Sequence, residues 1–254
     1  MNKHVKQSAF MVATLLGALV STQAGAAISL DRTRVIVNGG DKSVSLNVKN
    51  QNTQLPYLAQ GWIEDVQGNK ISSPLAVLPP VQRVEPGKES QVKVQVLPAA
   101  QLLAQDRETL YYFNLREIPP RSNKPNTLQI ALQTRIKLFY RPQAIVPDKA
   151  ALANPWQQKL TLTRQGDRYQ VNNPTPYYIT LVDAGSSVKG SGVTGFEPLM
   201  VPPKGQAMLS ASASTSALGP TPVLTYINDY GGRPQLVFRC SGSACQVAST
   251  NSGS

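Results

Sequence analysis

The chain has 254 residues, 25 of them Lys or Arg against 14 Asp or Glu, giving a formal net charge of +11. Its one histidine, His4, lies in an N-terminal segment expected to be removed, which excludes imidazole catalysis and histidine metal sites from the mature protein. The basic residues are scattered, with no arginine-rich run and no RNA-binding aromatic motif, so nucleic acid is not an expected partner.

Lys3 and Lys6 precede an apolar run at residues 9–20 and the small-residue pattern Ala24-Gly25-Ala26. This is the form of a secretory signal peptide, residues 1–26, with an apolar run too short to span a bilayer. No later stretch approaches membrane length, so the expected product is a soluble exported chain beginning at Ala27, without membrane insertion.

From there nearly every segment reads as strand. Residues 35–37, 44–48, 57–63, 92–96 and 110–115 are apolar or alternating. Turn signals separate them: Asn38-Gly39-Gly40-Asp41, Gln67-Gly68-Asn69, Glu85-Pro86-Gly87 and Pro119-Pro120. About seven strands in roughly 120 residues without a convincing helix predict an antiparallel immunoglobulin-type sandwich over residues 27–147. The Cys-Trp-Cys core of antibody domains is absent.

Residues 128–140 form the longest alternating segment. Leu128, Ile130, Leu132, Ile136 and Leu138 share one parity, while Gln129, Gln133, Arg135 and Lys137 share the other. A strand of this length outruns the sheet it belongs to, and its surplus apolar face must be covered by its own core or by another protein. A Pro-containing connection, residues 141–148, ends the pattern.

Residues 160–163, 169–171, 177–182, 208–209, 223–227 and 235–238 predict a second all-β unit over residues 148–254. Residues 185–195 and 210–219 read as flexible Gly/Ser/Ala-rich loops, and residues 249–254 as a fraying polar tail. Cys240 and Cys245, in a chain bound for an oxidising compartment, predict a disulfide across a tight hairpin. The carboxylates are few and mostly beside turns, so no acid/base pair, metal site or other catalytic group stands out, and no cofactor is expected.

Several blocks carry a family resemblance: Ser29-Leu-Asp-Arg-Thr-Arg34, Gln54-Leu-Pro-Tyr-Leu-Ala-Gln60, Tyr111-Tyr-Phe-Asn-Leu-Arg-Glu-Ile-Pro-Pro120, Ile136-Lys-Leu-Phe-Tyr-Arg-Pro142 and Tyr226-Ile-Asn-Asp-Tyr-Gly-Gly-Arg-Pro234. Together with Pro79-Pro-Val-Gln-Arg83 and Asn173-Pro-Thr-Pro-Tyr177, they resemble the periplasmic pilus chaperones of the PapD type. Sandwich proteins and strand addition in pilus assembly are both documented for that system. The resemblance implies two immunoglobulin-like domains in a boomerang, located in the periplasm. Such a protein binds nascent pilin subunits and delivers them to an outer-membrane usher, without catalysing a reaction.

In that family the last first-domain strand, G1, completes the subunit's unfinished sandwich. The resemblance places Leu128, Ile130 and Leu132 in the subunit-facing row; the weaker alternative from periodicity alone is that they face their own core. Arg34 and Lys137 match the basic pair that anchors the subunit's terminal carboxylate, although exposed strand charges would read the same way. Lys137 has the opposite parity to Leu132, so a twist or bulge between them is expected if both are to serve one partner.

Glu108, Arg141 and Asp229 match an interdomain ionic bridge, Cys240 and Cys245 a second-domain disulfide, and Pro56 the subunit-gating region. The connection at residues 119–126 resembles the short-loop branch that assembles rod-like adhesive pili. Dimerisation that caps the free strand would be physically reasonable. A pilin would instead be expected to have one domain and an extra N-terminal donor strand. A secreted hydrolase without histidine would need a carboxylate pair or a Ser-Lys device.

Overall fold

A computed structural model of the protein describes residues 26–251. Apart from Ala26, the expected signal peptide lies outside the described residues.

The first domain packs two sheets. In one, β1 (Ile28–Leu30), β3 (Ser43–Asn50), β8 (Glu89–Val96) and β6 (Leu75–Leu78) follow the order β1-β3-β8-β6. In the other, β2 (Arg34–Asn38), β10 (Gln133–Arg141), β9 (Thr109–Ile118), β4 (Tyr57–Glu64) and β5 (Lys70–Ile71) follow the order β2-β10-β9-β4-β5, with β7 (Val81–Val84) also paired to β4. The alternation of β3 explains its seat: Leu46 and Val48 are buried while Ser45, Asn47 and Lys49 face water. Val35, Val37, Ile63, Val92, Val94, Phe113, Leu138 and Tyr140 complete this core.

The second domain is one eight-stranded sheet. Its strands are β11 (Thr161–Gln165), β12 (Arg168–Asn173), β13 (Ile179–Gly185), β14 (Leu199–Val201), β15 (Gly205–Met208), β16 (Val223–Ile227), β17 (Gln235–Ser241) and β18 (Ala244–Asn251). They run in the order β14-β13-β16-β17-β18-β11-β12-β15, and the two end strands return into contact, wrapping a core of Leu160, Leu162, Tyr169, Leu181, Tyr226, Leu236 and Phe238. Two immunoglobulin-like sandwiches, as expected, make up the protein.

Several expectations need correction. The sandwich is not purely antiparallel, because β2 pairs with β10 in parallel. The second unit, all-β in its main, also holds two short helices, α1 (Lys149–Ala153), capped by Asp148, and α2 (Thr215–Leu218), capped by Ser214. The latter interrupts the supposed loop at 210–219 because Ala213 and Leu218 are buried in the core. Residues 249–251 do not fray, since β18 pairs them with residues 235–237 of β17. Ser73–Pro74 and Leu78–Pro79 are cis, and Pro79–Pro80 is trans.

The largest correction concerns residues 128–140. Only residues from Gln133 onward form strand, and the connection from β9 therefore spans 119–132. Antiparallel pairing with β9 runs from Gln133↔Arg116 to Tyr140↔Thr109, and one further bond joins Glu117 N–H to Leu132 C=O. Beyond Ile118 come Pro119 and Pro120, which have no N–H to donate, so the neighbouring strand cannot continue the ladder.

Candidate functional site

The site is built on the unfinished edge of β10. A strand has two edges, and β9 occupies one of them. On the other, β2 covers only residues 137–141, with Lys137↔Arg34 as its first pair. Ahead of Arg34 the chain departs to the opposite sheet, where Asp31 N–H donates to Asn47 C=O. Residues 133–136 thus keep a free row of backbone groups, and residues 128–131 pair with no strand. A parallel lane lies vacant in line with β2, open to another chain.

The apolar row follows the same logic. Leu138 and Tyr140 fill the first core, and Ile136 packs against it. The same parity continues as Leu132, Ile130 and Leu128 past the end of the sandwich, where they are 42%, 63% and 83% exposed. They do not face their own core.

From Lys137 onward the other parity faces the second domain. Lys137 Nζ donates to Thr180 Oγ1 at 3.1 Å, and the rings of Phe139 and Tyr178 lie 5.7 Å apart. The ladder is unbroken from residue 133 to 140, so the expected bulge before Lys137 is absent. None is needed, because the apolar row and the basic pair sit on opposite faces of one edge.

Arg34 is buried; its Nη1 donates to Ile227 C=O at 3.3 Å, while its Nε–H has no acceptor. Among the described residues neither Arg34 nor Lys137 forms a salt bridge. Burial lowers the Arg34 pKa despite the pull of Asp229 and Glu108, and burial with the repulsion of Arg34 lowers that of Lys137 to about 8. Two adjacent, part-desolvated cations with a spare donor are suited to a carboxylate. The corner opens on a cleft of about 470 Å³ that runs to the linker and is walled by Asp229 and Tyr230.

Below this corner the structure brings Glu108, Arg141 and Asp229 together. Arg141 donates Nε and Nη2 to Glu108 Oε1 at 2.9 and 2.7 Å, and Nη1 to Asp229 Oδ2 at 2.9 Å. Tyr178 N–H of the second domain donates to Glu108 Oε2 at 2.8 Å. Arg141 and Glu108 are buried, with the Arg141 guanidinium against the rings of Trp156 and Tyr177. Burial pushes the Glu108 carboxyl up to about 7 against the pull of Arg141. Asp229 sits on a turn closed by Asn228 and by Gly231, whose φ of +85° favours glycine.

Sequence reasoning missed Thr180, which holds Lys137, and the exposed interdomain pair Lys204–Asp106 at 2.6 Å. No local signal marks either, since both depend on how the domains meet. The Cys240–Cys245 disulfide joins register partners on β17 and β18.

Two sandwiches joined at a buried ion pair, with an open strand edge ending at two cations, define a two-domain, all-β protein. A family model for the pili and flagellar-assembly chaperone PapD N-terminal domain matches residues 27–146, and one for the PapD C-terminal domain matches 155–238. The chain belongs to the PapD family of pilus-assembly chaperones.

It is 52% identical over 242 residues to the probable fimbrial chaperone YfcS of Escherichia coli strain K12, covering 95% of this chain and 94% of that protein. It is 51% identical over 229 residues to the chaperone protein PapD of Escherichia coli, covering 90% and 92%. Among solved structures it resembles the periplasmic chaperone SfaE, with a TM-score of 0.63 and 32% identity over 83% of this chain and 98% of that one. It also resembles the structure of the Salmonella enterica SafA pilin in complex with the SafB chaperone, with a TM-score of 0.64 and 27% identity over 82% of this chain and 93% of that one.

Proposed function

We propose that this chaperone is exported to the periplasm by residues 1–26 and there captures pilin subunits, folding and capping them before delivery to an outer-membrane usher. Residues 27–147 form the capturing domain and residues 148–254 the second wall of the cleft. The observation that carries this reading is the vacant lane beside residues 128–136, flanked by exposed Leu128, Ile130 and Leu132 and closed by Arg34 and Lys137.

A subunit lacking one strand exposes core side chains and unpaired backbone groups together. The β10 edge supplies the main-chain partners. Burial of the three apolar side chains contributes about 1.5–3 kcal/mol each before association costs. The subunit's terminal carboxylate docks at Arg34 and Lys137 and sets the register.

The process needs no bond-making step, and release draws on the difference in free energy between this complex and the assembled fibre. The family relation further suggests the short-loop branch that serves rod-like adhesive pili. Periplasmic co-purification with a pilin tests the reading; unchanged subunit yield with both Arg34→Ala and Lys137→Ala would sink the carboxylate anchor.

A further inference from the structure

The face that carries Lys137 continues across the sheet as an ordered array. Register places Lys137, Tyr112 and Glu64 in one row, Arg135, Asn114 and Trp62 in the next, and Gln133, Arg116 and Gln60 in a third. The Arg135 guanidinium lies 3.4 Å over the Tyr112 ring, and its Nε donates to Glu64 Oε2 at 3.1 Å. Glu64 Oε1 also accepts from Trp62 Nε1 at 2.7 Å. The Trp62 ring carries the Lys70 ammonium at 4.3 Å and the Arg116 guanidinium at 5.4 Å. Lys70, Arg116, Arg135 and Lys137 thus share these rows with one carboxylate, Glu64, and Arg135 alone is paired with it.

Arg135 is placed for more than its own domain requires. Stacking and the Glu64 bond fix its side chain, yet it remains exposed and both Nη groups lack an acceptor among the described residues. It borders the vacant lane two residues before Lys137, where nothing from the second domain bonds to it. A strand in that lane would bring its alternate side chains beside Arg135, at the short separation of cross-strand neighbours.

We propose that Arg135 is a specificity-determining contact that takes an acidic side chain from the captured strand, on the residues alternate to those that meet Leu132 and Ile130. This inference rests on the strand-capture reading and deepens it. The apolar row tests whether a strand fits; Arg135 tests which strand it is. Preordering lowers the entropy lost on contact, and the free Nη fork suits a carboxylate.

Synthetic peptides with alternating apolar residues and a free carboxyl terminus, carrying Glu, Gln or Lys at the polar position nearest the end, provide the test by fluorescence anisotropy. The unaltered protein should prefer Glu over Lys by roughly fivefold or more. Arg135→Gln should abolish the preference with an unchanged melting temperature, and Arg135→Lys should restore part of it. Equal affinities on the unaltered protein, or an undiminished preference on Arg135→Gln, overturn the proposal. Amidated peptides isolate the anchor: a preference for Glu with no effect of amidation rejects Arg34 and Lys137 but upholds Arg135, whereas the converse rejects Arg135 alone.

Discussion

Arg34 and Lys137 are register partners on the parallel strands β2 and β10, and the like charge of Arg34 helps to hold Lys137 at a pKa of about 8. The ordinary lysine value is 10.5. Between these two values the folded chain binds fewer protons at this site than the unfolded chain, so its stability should rise with pH across that window.

Capture should respond in the opposite direction. A carboxylate favours charged Lys137, so binding takes up a proton once the pH exceeds about 8. Affinity for a free-acid subunit peptide should fall above that point, by up to about tenfold per pH unit. Lys137→Arg, which stays charged, should give a flat profile to about pH 10. A titration series with calorimetry at each pH checks this, and identical profiles for the two proteins would contradict it.

Leu128 and Ile130 are largely exposed and Leu132 partly so, and none of the three belongs to the core of the free protein. Changing all three to Ser should leave the unfolding free energy within about 0.5 kcal/mol per site. Subunit capture should weaken at least about a hundredfold. Urea unfolding and pull-down on the same preparation separate the two effects.

The hinge should behave as a buried ion pair. Arg141→Ala leaves Glu108 uncompensated and should cost about 3–5 kcal/mol, measured as a shift in the urea midpoint. Removing both charges with Arg141→Met and Glu108→Leu should recover most of that loss. The recovered protein is still expected to capture subunits less well, because Glu108 Oε2 no longer accepts from Tyr178 and the domains lose a fixed angle.

Loss of the Cys240–Cys245 bridge should be mild. A loop this short contributes about 2 kcal/mol in the chain-entropy model. Replacing both with Ala should lower the second-domain melting transition and leave subunit capture unchanged, since the bridge lies in the β17–β18 hairpin, far along the chain from β10.

The strands were legible wherever one face is buried and the other wet, as in 44–48 and 92–96, because burial itself writes period two into the sequence. Short strands such as β1, β5 and β14 escaped notice because two or three residues hold no period. The alternation at 128–132 reads as strand but forms none here: periodicity reports a face, and Pro119 and Pro120 decide whether a neighbour can pair with it.

For the site, the family resemblance pointed to Arg34, Lys137, Glu108, Arg141 and Asp229, whereas residue types and local pattern read the same as surface charge. Contact across 88 residues between Arg141 and Asp229 depends on domain docking. Arg135 was visible as a member of Lys137's parity; its isolation from other acceptors required the cross-strand register.

The shared lane of β2 and the vacant edge has a further consequence for timing. Because β2 begins at Arg34 and runs parallel to β10, an incoming parallel strand in line with it meets Arg34 end-on. A polypeptide that continues past that point must turn out of the sheet or give up the corner. On the proposed carboxylate anchor, capture selects for where a chain stops as well as for what it contains, and a partner still attached to the machinery that makes or exports it offers no terminus to seat.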